Sequence, residues 1–318
     1  MNLSIINAHP RDANILFQEE GHKYTILTDL SSKYTSCTTW NHSHFSKFDA
    51  DAVITAMMRG KNWNPTNKYW GLTADQIKQQ WAESGSAAAK AGTQMHYEIE
   101  CFIGAGGQSP IGLKTNKHPE GVCPRTPTTG GQSPPRTPNQ TGLGGQIHSN
   151  QIDAGLRSPY THQDLLNYYS QEEIESLSPQ FINFVKDTPH LVPYRTEWLI
   201  YDEQVKISGS VDMVYENPDG SLMIYDWKRC AKIEKTNGFD KWATTECISH
   251  LPDSNFWHYA LQLNTYKTII ERNYGKRVTD LCLVRLHPDS KTYELLKVPI
   301  LEEEMRDLFN TRSNKGCK

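Results

Sequence analysis

The sequence predicts an α/β domain, a mixed sheet flanked by helices and broken by a long segment of disorder, and three observations predict it. Strand-like alternation of apolar and polar residues recurs at 194–201, 207–216, 221–228 and 280–286. Helical periodicity marks 92–103 and 255–274, so strands and helices share one layered unit. From 104 to 156 the composition turns abruptly to Gly, Pro, Thr and Gln.

Residues 1–103 form an N-terminal region and first core helix, opening on short strands around 14–17 and 22–28, with a helical region from Ser46. Trp40, Phe45 and Phe48 read as packing residues. In GTQMHYEIE and the residues after it, Met95, Ile99, Phe102 and Ile103 fall at helical spacing and bury one stripe. His96 and Glu100, four apart, share a neighbouring face.

The segment 104–156 repeats GGQSP at 106–110 and 130–134, and PRTP at 124–127 and 135–138. It has too little apolar surface to offset its ordering entropy, so disorder is expected, and the repeats read as simple expansion. Residues 157–318 form the main core, beginning with the helical run DLLNYYSQEEIESLSPQFINFVKD.

Within that core, ISGSVDMVYENPDGSLMIYDWK at 207–228 reads as a hairpin. Asn217-Pro218-Asp219-Gly220 is turn chemistry, best fitted by a type I turn closed by a G1 bulge at Gly220, which pairs Asn217 with Ser221. In that register Asp212 stands opposite Asp226. Opposed strand residues have Cβ atoms ~5 Å apart, and like charges there destabilise the pair.

A divalent cation held by both carboxylates offsets that repulsion, and hard cations take oxygen ligands. Lys228 points to the same face as Asp226, because strand side chains repeat every second residue. Two carboxylates, a metal and an ammonium suit phosphodiester hydrolysis. The alternative is a solvated edge on which a lysine balances two acids. Apolar Val211, Met213, Tyr225 and Trp227 favour a hairpin inside a sheet, and Gly209 and Ser210 leave room for a ligand beside Asp212.

The helix from about 255 to 274, ending at Gly275, carries QLNTY at 262–266. Leu261, Thr265, Thr268 and Ile269 form its buried side. Gln262 and Tyr266 stack one turn apart, placed to hold a phosphate or the lysine, or else as a solvated glutamine beside a tyrosine anchor.

GSVD at 209–212, YDWK at 225–228 and QLNTY resemble the motifs of the PD-(D/E)XK nuclease superfamily, and within it the RecB-like exonucleases. That group includes the mitochondrial genome maintenance exonuclease and stand-alone nucleases of phages and large DNA viruses. GTQMHYEIE resembles the family's upstream helix with its metal-binding histidine. The resemblance covers about residues 90–103 and 165–300, and it implies a restriction-endonuclease-like core.

Carried over by position, it implies Asp212, Asp226, His96 and the main-chain carbonyl of Trp227 as metal ligands. Lys228 becomes the catalytic lysine, Gln262 and Tyr266 the helix motif beside it, and Glu197 a supporting acid one strand earlier. The cofactor implied is Mg²⁺ or Mn²⁺, with the histidine nitrogen favouring the transition metal. The substrate implied is DNA, at an end or on a single strand, cut in recombination, repair or replication to leave a 5′-phosphate. Some members hold an iron-sulfur cluster; the clustered downstream cysteines are missing here, so no cluster is expected. The competing readings are a sequence-specific endonuclease, an inactive DNA-binding or assembly protein on the same fold, and an interaction protein unrelated to nucleic acid.

Composition sets only bounds. The chain has 318 residues, a net charge of -3 and no apolar stretch long enough to span a bilayer, so no membrane partner is expected. Such a charge is not that of a general nucleic-acid coater, and any DNA contact must be local. Lys228, Arg229, Lys232, Lys235 and Lys241, with Phe239 and Trp242 among them, suit phosphates and unpaired bases. Arg272, Lys276 and Arg277 either extend that surface or answer the helix dipole. Seven scattered cysteines point to free thiols in a reducing, intracellular compartment, and the first residues show no export or transit signal. The oligomeric state is open.

Overall fold

The hairpin closes as its turn residues require in the computed structural model, which describes residues 3–104, 159–238 and 240–315. Gly220 N–H donates to Asn217 O at 2.9 Å, and Asn217 N–H donates to Ser221 O at 2.8 Å. Gly220 sits at φ +77°, the left-handed conformation a G1 bulge needs. Pairing runs from Glu216 opposite Leu222 to Met213 opposite Tyr225, the register the turn dictates.

In chain order the helices are α1 (Leu3–Ile6), α2 (Cys37–His42), α3 (Ala50–Arg59), α4 (Ala74–Gly104), α5 (His162–Tyr168), α6 (Gln171–Glu175), α7 (Pro179–Asp187), α8 (Asn255–Asn273) and α9 (Glu302–Lys315). The strands are β1 (Ile15–Gln18), β2 (Lys23–Ile26), β3 (Thr35–Ser36), β4 (Val192–Asp202), β5 (Ile207–Glu216), β6 (Leu222–Lys228), β7 (Val278–Arg285) and β8 (Glu294–Lys297). β1 and β2 form a separate antiparallel pair.

The main sheet is mixed. β4 pairs antiparallel along β5, while the other edge of β5 is shared: β3 lies parallel to it at Ile207–Ser208, and β6 lies antiparallel to it from Met213 onward. β6 continues parallel to β7, with α8 as the crossover such a pair requires, and β7 pairs antiparallel with β8. A fork therefore opens between β3 and β6 beside residues 209–212.

Helices cover both faces. On one, Val214, Leu222, Ile224, Leu281 and Leu283 pack with α8, α9 and Trp40 of α2. On the other, Met213, Tyr215, Tyr225, Trp227 and Val284 pack with α4, α5 and α7 through Phe102, Leu165, Phe181 and Phe184. The α/β class with helices flanking a central mixed sheet is thus the observed architecture.

Several expectations need correction. The helix expected from Ser46 starts at Ala50, where Asp49 caps Ala52 N–H at 3.0 Å. Trp40 and Phe45 are buried, but Phe48 is 73% exposed. Thr268 of α8 is only half-buried. Gly209 does not make room for a ligand: a Cβ there would meet the Tyr266 ring at 2.8 Å and Cys37 Sγ at 2.9 Å, so it is a packing glycine. The disorder expected at 104–156, apart from Gly104 at the end of α4, and Phe239, Cys123 and Cys317 lie outside the described residues. Cys37, Cys101, Cys230, Cys247 and Cys282 are free thiols.

Candidate metal centre

Beyond Met213 and Tyr225 the β5–β6 ladder gives way to a side-chain contact: Trp227 N–H donates to Asp212 Oδ2 at 3.0 Å. The two aspartates stay near enough for Asp226 to raise the pKa of Asp212. Burial is the larger cause, and together they push the Asp212 carboxyl up to about 7.

Glu197 enters from the other side. In β4, Thr196 stands opposite Met213 and Trp198 opposite Val211, which sets Glu197 against Asp212. Its backbone adopts φ +45°, a left-handed conformation unusual for a strand residue, and its Oε2 accepts a hydrogen bond from Ser210 Oγ at 2.7 Å. A strained backbone persists only where its surroundings over-determine it, and such residues cluster at functional sites.

His96 reaches the fork from α4. Its Nε2 lies 3.1 Å from the Trp227 carbonyl oxygen, which only accepts, so the proton sits on Nε2. Nδ1 then faces Asp212 Oδ2 at 3.5 Å and Glu197 Oε1 at 3.7 Å. A bare lone pair pointing at two carboxylates is untenable, and a cation or a second ring proton has to stand there. Burial works against charge on His96, but Asp212 and Glu197 outweigh it and lift its pKa to about 9. These three ligand atoms lie within 4.8 Å of one another.

Asp226 is 1% exposed. Apart from the Lys228 ammonium 2.5 Å from Oδ2, its oxygens have no hydrogen-bond donor among the described residues. A carboxylate desolvated to this degree and left short of donors fits a metal ligand. The clustered set of two carboxylates and one imidazole, from Asp212, Glu197 and His96, suits Mg²⁺ or Mn²⁺, while Asp226 lies outside that cluster. Burial opposes the charge on Lys228 too, yet Asp226 and Asp212 outweigh it and hold the ammonium protonated.

Proteins already known add little here. No family model and no curated protein matches the chain. Among solved structures it is similar to a candidate exonuclease from Eubacterium rectale, at 11% identity and a TM-score of 0.25 over 38% of this chain and 46% of that one. It is also similar to SSO0001, at 16% identity and a TM-score of 0.23 over 47% of this chain and 64% of that one. The chain spans less than two thirds of either, and likenesses of this size assign no activity.

Of the residues singled out in the sequence, Asp212, Asp226, Lys228, His96, Glu197 and Trp227 converge on the fork. Gln262 and Tyr266 lie beside it on α8, where Gln262 Nε2 donates to the Tyr266 hydroxyl at 2.8 Å. They bond each other instead of gripping the lysine. What underlies Lys228 is Tyr259, whose ring centroid is 4.5 Å from Nζ. Sequence reasoning missed Tyr259, although it lies one turn before Gln262 on the same face.

The basic loop after β6 is exposed at Lys232, Lys235 and Lys241, and Trp242 is 47% exposed. Arg272, Lys276 and Arg277 do not extend that surface: they contact Asp202, Glu216 and Asp219. No helix among the described residues is long and apolar enough to cross a membrane.

Proposed function

We propose that this protein is a divalent-metal-dependent deoxyribonuclease that hydrolyses phosphodiester bonds at DNA ends or on single strands. The observation that carries the reading is the buried Asp226 carboxylate, short of donors and set beside Asp212 and an acid-flanked His96 Nδ1. Asp212, Asp226, Glu197 and His96 Nδ1 would hold the metal. Bound there, Mg²⁺ or Mn²⁺ would polarise the phosphoryl oxygen and lower the pKa of the attacking water.

The chain's own groups do the rest. Lys228 keeps its proton, so it acts as a donor to a water or to developing negative charge, not as a base. Tyr259 below and Asp226 beside it fix the position of Nζ. The preference for DNA rests on the likeness of GSVD, YDWK and QLNTY to RecB-like motifs, and the basic loop after Lys228 is placed to meet phosphates.

End-labelled linear DNA and closed circular DNA, each incubated with Mg²⁺ or Mn²⁺, test the reading. Linear DNA is degraded, the circle resists, and chelation, Asp226→Asn or Lys228→Ala abolishes the product. Cleavage that survives either substitution, or no product from any DNA with either metal, overturns it.

A further inference from the structure

The loop between α3 and α4 is unusual in what it leaves in solvent. From Ala52 to Ala74 there is no acidic residue, while Arg59, Lys61 and Lys68 alternate with Trp63, Tyr69 and Trp70. All three cations are exposed and share no ion pair with any described acid, and Trp70 is 46% exposed. The rings are held in place all the same. Trp63 and Trp70 stand 5.6 Å apart, and the Trp81 indole N–H of α4 donates to the Tyr69 hydroxyl at 2.9 Å.

An exposed Trp70 beside a half-buried Trp63, with Arg59, Lys61 and a Lys68 whose Nζ lies 5.2 Å from the Tyr69 ring centroid, matches the chemistry of an unpaired nucleic-acid strand, with aromatic faces for bases and ammonium or guanidinium groups for phosphates. Placement on α4 ties the loop to the metal centre. Trp81 and His96 are fifteen residues apart on one helix, which is about 22 Å along the axis and about 60° around it. Gly85, Ala88, Ala89 and Gly92 fill the face between them, and a Cβ at either glycine would meet nothing within 4 Å. Among the described residues of α4, no side chain larger than alanine stands on that face between Trp81 and His96.

We propose that the 59–70 loop is a stacking platform for single-stranded DNA that runs along α4 to or from the metal centre. This rests on the nuclease reading for the choice of DNA. A thymine oligonucleotide labelled with fluorescein, titrated with full-length protein in chelator, reads binding by anisotropy without any cleavage.

Trp63→Ala/Trp70→Ala is expected to weaken binding by roughly tenfold or more. Arg59→Glu/Lys61→Glu/Lys68→Glu, at exposed positions, lowers both affinity and its salt dependence, by about 0.7 in log–log slope for each phosphate no longer neutralised. Circular dichroism verifies that each variant is folded. Wild-type affinity in both folded variants overturns the proposal, as does equal weakening on a blunt duplex, where no base is free to stack. If the platform variants release the oligonucleotide while the wild type cuts no DNA with any metal, the platform stands and the nuclease reading falls.

Discussion

The main-chain N–H of Trp227 donates to the side chain of Asp212, 3.0 Å away, at the point where a strand-to-strand bond would otherwise continue the ladder. That hydrogen bond turns a regular hairpin into a fork. It also holds the Asp212 carboxylate within reach of His96 and under the influence of Asp226.

Asp212→Asn separates stability from activity. The amide oxygen still accepts from Trp227, but one charge leaves a repulsive buried group. Because its folded pKa lies above the unfolded value, Asp212 contributes stability that is present below about pH 4 and lost as pH rises through about 7. Without metal, the variant should therefore be more stable than wild type at about pH 8. Thermal melts with and without Mn²⁺ check this: the wild type gains stability from the ion and the variant does not.

Lys228→Met leaves Asp226 buried without its cation. The expected cost is about 3–5 kcal/mol in chelator. Asp226→Asn/Lys228→Met should recover most of it, since no lone charge remains, and neither protein should cut DNA. Urea denaturation of the two single variants and the double completes the cycle; additive losses would contradict the pairing.

Glu197 separates backbone strain from ligand chemistry. Glu197→Gly and Glu197→Ala both lose the carboxylate and the Ser210 hydrogen bond, yet only glycine is at ease at φ +45°. The glycine variant should be the more stable by about 1 kcal/mol. Both should bind Mn²⁺ more weakly than wild type in calorimetric titration.

His162 sets an acid limit away from the metal centre. Thr188 Oγ1 donates to Phe184 O at 2.6 Å, so it must accept from His162 Nδ1–H, which leaves Nε2 to accept from the Tyr215 hydroxyl at 2.9 Å. Charging the ring would force the Tyr215 hydroxyl to turn from donor to acceptor; burial, helped by nearby His190, depresses the pKa to about 3. The stability this group contributes is complete above about pH 6.5 and falls below it, by up to about 1.4 kcal/mol per pH unit. His162→Phe, though weaker at neutral pH, should show a shallower loss in urea melts between about pH 7 and about pH 4.5.

What the sequence determined alone is local. The 217–220 turn dictates the hairpin register through four residues of backbone chemistry, and the register holds as far as Met213 opposite Tyr225, one residue short of Asp212 and Asp226. Helical spacing likewise marked Met95, Ile99, Phe102 and Ile103 as a buried stripe, because a helix shows its neighbours every third and fourth residue.

Tertiary structure decided everything that depends on a distant partner. The left-handed backbone of Glu197, the ring of Tyr259 under Lys228, the donor-poor burial of Asp226 and the packing of Gly209 against Tyr266 and Cys37 each join segments far apart in the chain. Phe48 shows the same limit from the other side: an aromatic residue in a packing-rich run stays 73% exposed even with the tilted ring of Trp81 on α4 beside it, 6.0 Å between ring centroids. Periodicity states which side of an element is apolar, but desolvation is a property of what packs against it, and that is set only when the chain closes on itself.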